Sequence, residues 1–298
     1  MILSVSRRCD IPRFAFDWFL ERLDAGFVEI HNPFNFSQKK RVSLLPAGSS
    51  ARDSSARGIS AAEAVDIIVF WTRDPAPILE NAENLDRRGY PFYIMTTLTS
   101  YPALLEPNLP SPETVIQTML KLAQKIPPAR LIWRYDPVFL SGLTDFEYHR
   151  RNFSALASRL SGTVRRVIVS AYDEYPRAEK RLVRLEQGGV LKRLPHYGSG
   201  PAGEKLLLPA VRELLAELAQ IAAGEGMEIQ SCAEEDLSGC GIKAGACIDG
   251  NYIEKEFGLK APGKDRGQNR PRCLCAQSVD IGFYGKCPAG CVYCYASS

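Results

Sequence analysis

Asp66-Ile67-Ile68-Val69-Phe70-Trp71-Thr72-Arg73-Asp74-Pro75 is an unbroken apolar run that ends in polar residues and a proline. A strand with one wet face alternates apolar and polar side chains. A strand apolar on both faces is covered twice, as in a parallel sheet flanked by helices. The Asp-Pro that follows is a helix start: the carboxylate caps a free backbone N–H and proline suits the first helical position. Strand, polar turn, helix is therefore the unit to look for elsewhere.

It recurs along the chain. Residues 2–6 read as a strand. Asp10 and Pro12 then open a helix whose stripe is Phe16, Phe19, Leu20 and Leu23, closed by Gly26 as a C-terminal cap. Residues 28–31 read as a second strand ending at Asn32-Pro33, and residues 46–61 as a surface loop. Further strands are expected at 92–97, 131–134, 167–170 and 228–231. The helices between them carry Val115, Met119, Leu122 and Ile126; Phe146, Phe153, Leu156 and Leu160; a charged stretch over 177–187; and Val211, Leu214, Leu215, Leu218 and Ile221. The echo between residues 70–75 and 132–137 suggests equivalent positions in the sheet. Seven strands, with an eighth over 279–283, argue for an α/β fold, a (β/α) barrel or partial barrel. A doubly wound sheet is the alternative, but no G-x-G-x-x-G follows the first strand.

The chain divides into a barrel domain over 1–235 and a tail over 236–298, rich in Gly, Cys, Lys and Asn, that packs on it. With 45% apolar and 24% charged residues it has the composition of an ordinary globular protein. It has no apolar run of the ~18 residues that a bilayer span needs. No secretory leader is visible, so a cytoplasmic location without a membrane partner is expected. A net charge of +3 is too small to imply nucleic-acid binding by itself.

In a barrel the working residues follow the C-terminal ends of the strands. Those positions hold Arg7, Arg8 and Asp10; Asn32 and Asn35; Thr72, Arg73 and Asp74; Thr97 and Thr99; Arg134 and Asp136; Ser170, Tyr172 and Asp173; and Glu234 with Glu235. Asp10, Asp74 and Asp136 have a plain reading as helix caps. Arg7, Arg8 and Arg134 together suit an anionic group, since guanidinium forks match carboxylate and phosphate. The catalytic candidates are Arg7, Arg134, Asp136, Asp173 and Glu234. His31, His149 and His196 have no ligand spacing, and His149, beside Arg150 and Arg151, reads as solvent-facing.

Only Cys9 of the nine cysteines precedes residue 232. In a large chain expected in a reducing compartment, clustered cysteines favour metal over disulfides. Cys287-Pro-Ala-Gly-Cys291-Val-Tyr-Cys294 sets three thiols at C-x3-C-x2-C spacing, with Tyr293 directly before the third. Three thiolates on one short loop can hold three irons of a [4Fe–4S] cube and leave the fourth iron open, whereas a structural zinc wants a fourth protein ligand. Cys232, Cys247, Cys273 and Cys275 are candidates for a second cluster, with Cys240 as a spare; a zinc that staples the tail is the rival. Cys9 reads as a buried free thiol.

The Gly290-Cys-Val-Tyr-Cys-Tyr-Ala296 run resembles the cluster loop of the radical S-adenosylmethionine (SAM) superfamily, especially its spore photolyase-like branch. The whole chain also resembles an uncharacterised family of bacterial and archaeal proteins that end in this loop. That likeness is carried by Ser6-Arg-Arg8, Trp133-Arg-Tyr-Asp-Pro137 and Cys232-Ala-Glu-Glu235. The first resemblance implies a [4Fe–4S] cluster that binds SAM and starts radical chemistry on a small-molecule or anionic substrate. It also implies an electron donor such as a ferredoxin or flavodoxin. Arg7, Arg8, Arg73 and Tyr293 would then contact the cofactor. In that superfamily the loop opens the barrel, so here the barrel must come from the chain before it.

Two other readings remain open at this point. One is a non-catalytic iron–sulfur carrier or sensor. The other is a zinc-stapled nucleic-acid-binding module using the basic stretch over 260–272 (Lys260, Lys264, Arg266, Arg270, Arg272), which has no interleaved aromatics for base stacking.

Overall fold

The computed structural model describes residues 1–32, 35–48, 64–201, 203–265, 270, 272–283 and 287–297, with only the backbone at 32, 35 and 36. Most of the loop expected over 46–61, Arg266 and the side chains of Asn32 and Asn35 lie outside the described residues. Eight strands make one all-parallel sheet: β1 (Ile2–Val5), β4 (Ile67–Thr72), β5 (Phe92–Thr97), β6 (Leu131–Val138), β7 (Arg166–Ala171), β10 (Glu228–Cys232), β11 (Lys243–Gly245) and β12 (Ser278–Asp280). Their order is β11-β10-β7-β6-β5-β4-β1-β12. From β1 to β11 neighbours follow chain order, so the crossovers all advance in one direction. A doubly wound sheet would reverse at a switch point. The arrangement is compatible with a partial barrel.

Strand parity divides the core in two. Leu3, Val5, Ile68, Phe70, Phe92, Ile94, Trp133, Val167 and Val169 face outward into the larger core. Their cover comes from helices α2 (Phe16–Ala25), α3 (Ala76–Arg87), α4 (Pro112–Lys125), α5 (Phe146–Leu160) and α7 (Pro209–Gly224). Ile2, Ile67, Val69, Trp71, Tyr93, Met95, Ile132 and Ile168 face inward. There they meet Cys247, Ile248, Tyr252 and Ile253 around helix α8 (Gly250–Phe257), together with Cys273, Cys275 and Ala276. Residues beyond 236 thus supply two strands of the sheet and fill its concave face. Each large side chain buried this way stabilises by ~1.5–3 kcal/mol, so the tail is held by the same force as the rest.

Four sequence expectations need correction. Residues 28–31 do not join the main sheet. They belong to β2 (Phe27–Asn32), paired antiparallel with β3 (Asn35–Ser43). The fold takes β11 in its place, a strand of three residues too short and too polar to give a period. The last strand is Ser278–Asp280 rather than 279–283. Trp71 and Trp133, matched in the sequence echo, sit on opposite faces because Trp133 aligns with Thr96, and Thr96 with Thr72. A one-residue offset in register reverses the side.

The capping signals mostly hold. Asp10 accepts from Arg13 N (3.1 Å) at the start of α1 (Ile11–Phe14), and Gly26 closes α2 with φ +75°. Helix α3 begins at Ala76, one residue later than expected, so Pro75 and not Asp74 takes the N-cap position, while Asp74 Oδ1 still accepts from Ala76 N at 3.2 Å. Among the described residues no helix is long and apolar enough to cross a membrane.

Candidate functional site

At the C-terminal ends of the strands the inward positions turn polar and border a cavity of about 640 Å³. Arg7, Trp71, Thr97, Arg134, Asp136, Ser170 and Cys232 line it from the strands. Cys247, Arg270, Cys273 and Cys275 line it from the tail, and Cys287, Cys291, Cys294 and Tyr295 from the terminal loop. The convergence expected from the sequence is therefore present for Arg7, Arg8, Asp10, Thr72, Arg73, Arg134, Asp136, Tyr172 and Asp173. Glu235 is elsewhere, paired with Arg212. Thr99 stands behind the wall, its hydroxyl donating to Glu106 Oε1 at 2.5 Å.

Asp136 is not a helix cap. It lies within β6, where Arg134 Nη2 and the Ser170 hydroxyl both donate to it. The Arg134 guanidinium lies 4.7 Å from the Trp71 ring, with Arg7 at 6.0 Å on the same indole. Cation–π contact of this kind helps to hold both guanidiniums in place, alongside the ion pairs of Arg134 with Asp136 and of Arg7 with Asp280 (3.7 Å). Asp173 pairs with Arg270 at 2.6 Å. Glu234 accepts from Ala171 N at 3.0 Å, and burial pushes its carboxyl up to about 7. Burial likewise lifts Asp10 to about 6, against the pull of N–H and O–H donors on Arg73 and Thr72.

Asp280 is the polar residue that sequence reading missed. At the end of β12 it takes hydrogen bonds from Ser4 Oγ (2.8 Å), Ser6 Oγ (2.7 Å), Arg7 N (2.8 Å) and Gly282 N (3.0 Å). It fixes the loop after β1 and so aims Arg7 and Arg8 at the cavity. Its only sequence signal is an Asp inside the strand expected over 279–283.

The terminal loop is anchored at several points. Tyr293 is buried, stacks on Phe139 (5.6 Å) and meets Tyr101 edge-on (5.9 Å). Arg73 Nη2 donates to its hydroxyl oxygen at 2.6 Å, and the hydroxyl donates to Glu106. From helix α6 (Pro176–Gln187) Arg181 donates to the carbonyls of Val292 (3.1 Å), Ser297 (3.3 Å) and Cys294. Asn108 donates to Pro288 O at 3.0 Å. The loop thus presents Cys287, Cys291 and Cys294 from a fixed backbone. Burial pushes the thiol of Cys291 up to about 12 and raises that of Cys287. Ala296 N donates to Cys294 Sγ at 3.3 Å.

Cys232, Cys247, Cys273 and Cys275 are buried together, with Cys232 Sγ and Cys247 Sγ 3.2 Å apart. Cys240 packs instead against the outer core and is no spare for them. Cys9 is half-buried rather than buried. It lines the cavity, and its sulfur accepts from Phe283 N at 3.2 Å. All nine cysteines are free thiols. Among the described residues, no group of three or more His, Cys, Asp or Glu side chains is ready-made for a single metal ion.

His149 corrects another expectation. It is fully buried, with Tyr135 OH 2.8 Å from Nδ1 and Phe139 O 3.2 Å from Nε2. Its arginine neighbours in sequence point elsewhere: helix periodicity, not adjacency, sets the face.

A family profile matches residues 2–296. The chain belongs to that family, the domain of unknown function DUF1848. No curated protein matches it. Among solved structures, D-hydantoinase is similar over 74% of this chain at 10% identity and a TM-score of 0.32; the match spans 45% of the hydantoinase chain. A chain of the pneumococcal virulence factor StrH is similar over 99% of this chain and 81% of its own, at 8% identity and a TM-score of 0.31. A second StrH chain, from work on its tandem GH20 catalytic modules, is similar over 93% and 61% at 8% identity and a TM-score of 0.26. None of these reaches a similarity at which activity transfers.

Proposed function

We propose that this chain is an iron–sulfur enzyme of the radical SAM type. In this reading Cys287, Cys291 and Cys294 hold three irons of a [4Fe–4S] cluster and leave the fourth open to SAM. The observation that carries the reading is the placement of these three free thiols, on an anchored loop, in the wall of a polar cavity at the strand ends.

The donor set fits the group. Buried thiols with raised pKa are costly to ionise alone, and iron coordination offsets that cost. The Ala296 amide donates to Cys294 Sγ, and hydrogen bonds to sulfur of this kind tune bound clusters. When bound, such a cluster supplies the electron that cleaves the sulfonium S–C5′ bond of SAM.

The chain's own residues do the rest. Arg181 and Tyr293 fix the backbone of the loop, so Cys287, Cys291 and Cys294 would hold the cluster in the cavity wall. Arg7 and Arg134, held on Trp71, present guanidinium edges to a carboxylate, either of SAM's methionine moiety or of an anionic substrate. Asp136 and Asp173 offer acceptors for hydroxyl or amino groups. The inward apolar layer of Ile67, Val69 and Met95 closes the floor and keeps water from below.

The test begins with protein purified and reconstituted without oxygen. The expected result is about four irons and as many sulfides on the loop. The reduced-cluster paramagnetic spectrum should shift on adding SAM, and 5′-deoxyadenosine should be released under strong reductant. The Cys287→Ala/Cys291→Ala/Cys294→Ala variant should hold about four irons fewer than the wild type and lose both the SAM-dependent spectral shift and the release of 5′-deoxyadenosine. Zinc on these sulfurs, or an intact cluster that neither binds nor cleaves SAM, would remove the enzymatic reading.

A further inference from the structure

The four remaining buried thiols come from three separate chain segments: the end of β10, the loop after β11, and residues 273–275. They are Cys232, Cys247, Cys273 and Cys275, each at most 7% exposed. Cys232 Sγ and Cys247 Sγ lie 3.2 Å apart, and Cys275 neighbours both Cys247 and Cys273, so the four sulfurs run in a chain. Free buried cysteines normally scatter as small hydrophobes. Four converging on one spot, in a chain with no disulfide, call for a common partner. Donors from the surrounding chain approach these sulfurs. Arg270 Nη1 lies 4.0 Å from Cys232 Sγ, and Ile248 N donates to Cys275 Sγ at 3.5 Å. Arg7 lies within electrostatic reach of both Cys275 and Cys247.

We infer that Cys232, Cys247, Cys273 and Cys275 form a tetrathiolate metal site in the cavity wall, separate from the terminal loop. The charge accounting is simple. Four thiols take up one divalent ion, or one cube of overall charge +2, with release of four protons. The product carries a net charge of −2. Arg7 and Arg270 face that charge, although Arg7 also pairs with Asp280 at 3.7 Å, and Arg270 pairs with Asp173 at 2.6 Å and lies 3.9 Å from Glu234. The metal replaces the thiol protons and draws the sulfurs round one centre. Zinc and an iron–sulfur cube share this ligand chemistry. Because all four cysteines line the cavity, a metal here is in reach of whatever the cavity binds. The inference stands whether or not the terminal loop holds a cluster.

The experiment uses the full-length Cys287→Ala/Cys291→Ala/Cys294→Ala variant, purified without oxygen, so that loop metal does not interfere. Elemental and sulfide analysis should find about one zinc, or about four irons with matching sulfide. Either result supports the site and identifies its occupant. Adding Cys273→Ser and Cys275→Ser should abolish the bound metal while far-UV circular dichroism stays unchanged. Should those serines disturb the fold, differential alkylation of the triple variant decides instead. Cys232, Cys247, Cys273 and Cys275 should react with iodoacetamide only after chelator treatment. Equal labelling before and after chelator, no metal in the folded triple variant, or a Cys232–Cys247 disulfide in peptide maps would each overturn the inference.

Discussion

Arg73 and Glu106 form a buried ion pair at 2.6 Å, and the hydroxyl of Tyr293 completes it by bonding to both residues. The pair ties the end of β4 to the terminal loop through charge that water barely reaches. Removing one partner strands the other without solvent, which typically costs ~3–5 kcal/mol. Glu106→Ala should therefore destabilise by that order in urea unfolding. Tyr293→Phe, which keeps the ring stacking and loses only hydrogen bonds, should cost ~1–2 kcal/mol. A Glu106→Ala protein as stable as wild type would mean that Arg73 finds water or another partner.

Gly290 has φ +72°, and a Cβ there would stand 3.2 Å from both Asn108 Nδ2 and Pro107 Cγ. Left-handed backbone costs a non-glycine residue ~1–2 kcal/mol before any clash. Gly290→Ala should shift Cys291 away from its wall position. The reading is the alkylation rate of Cys291, expected to rise, with the melting temperature of the whole protein lowered by only a few degrees.

Arg181 holds three loop carbonyls from a neighbouring helix, so its loss should act locally. For Arg181→Met we expect a small change in global unfolding but faster loss of iron from reconstituted protein to a chelator. Unchanged release would show that Tyr293 and Asn108 hold the loop without it.

His149 carries a pH signature. Burial pulls its folded pKa down to about 4, against 6.5 for the ordinary residue. The unfolded chain therefore binds a proton that the folded one refuses. Stability from this group is complete above about pH 6.5 and falls as pH drops toward 4, by ~1.4 kcal/mol per pH unit within that window. Asp10 and Glu234, both raised by burial, slope the opposite way and blunt the total. Comparison with His149→Gln isolates the residue. The stability difference between wild type and variant should move against wild type by ~2 kcal/mol from pH 7 to pH 5. A difference constant over that range would mean that His149 protonates within the fold.

How much of this was legible in the sequence follows from where the information sits. Residues 66–75 announce a doubly covered strand because every residue from Ile67 to Thr72 is buried. The polar residues behind each strand predict the cavity wall because parallel strands end on the same side. Val28 and Ile30 do pack on the core, yet their strand pairs with β3 in a hairpin instead of joining the main sheet. Nothing local distinguishes the two cases. Lys243–Gly245 becomes a strand only because β10 already offers it an edge. The role of Asp280 depends on Ser4, Ser6 and Arg7, which no local pattern connects to it. His149 and Trp133 were misplaced by one-residue judgements of phase, which tertiary packing alone decides.

The pairing of β12 with β1 joins residues 276 positions apart through Ser4 and Asp280. Such a contact is among the most distant that this chain makes, and closure over so long a segment is slow. During synthesis β1 must wait with one open edge until residues 278–280 have emerged. Unpaired edges invite association with other chains. A nascent chain of this kind is therefore vulnerable to self-association until residues 278–280 have emerged, and its yield in a host should depend on chaperone supply more than on final stability.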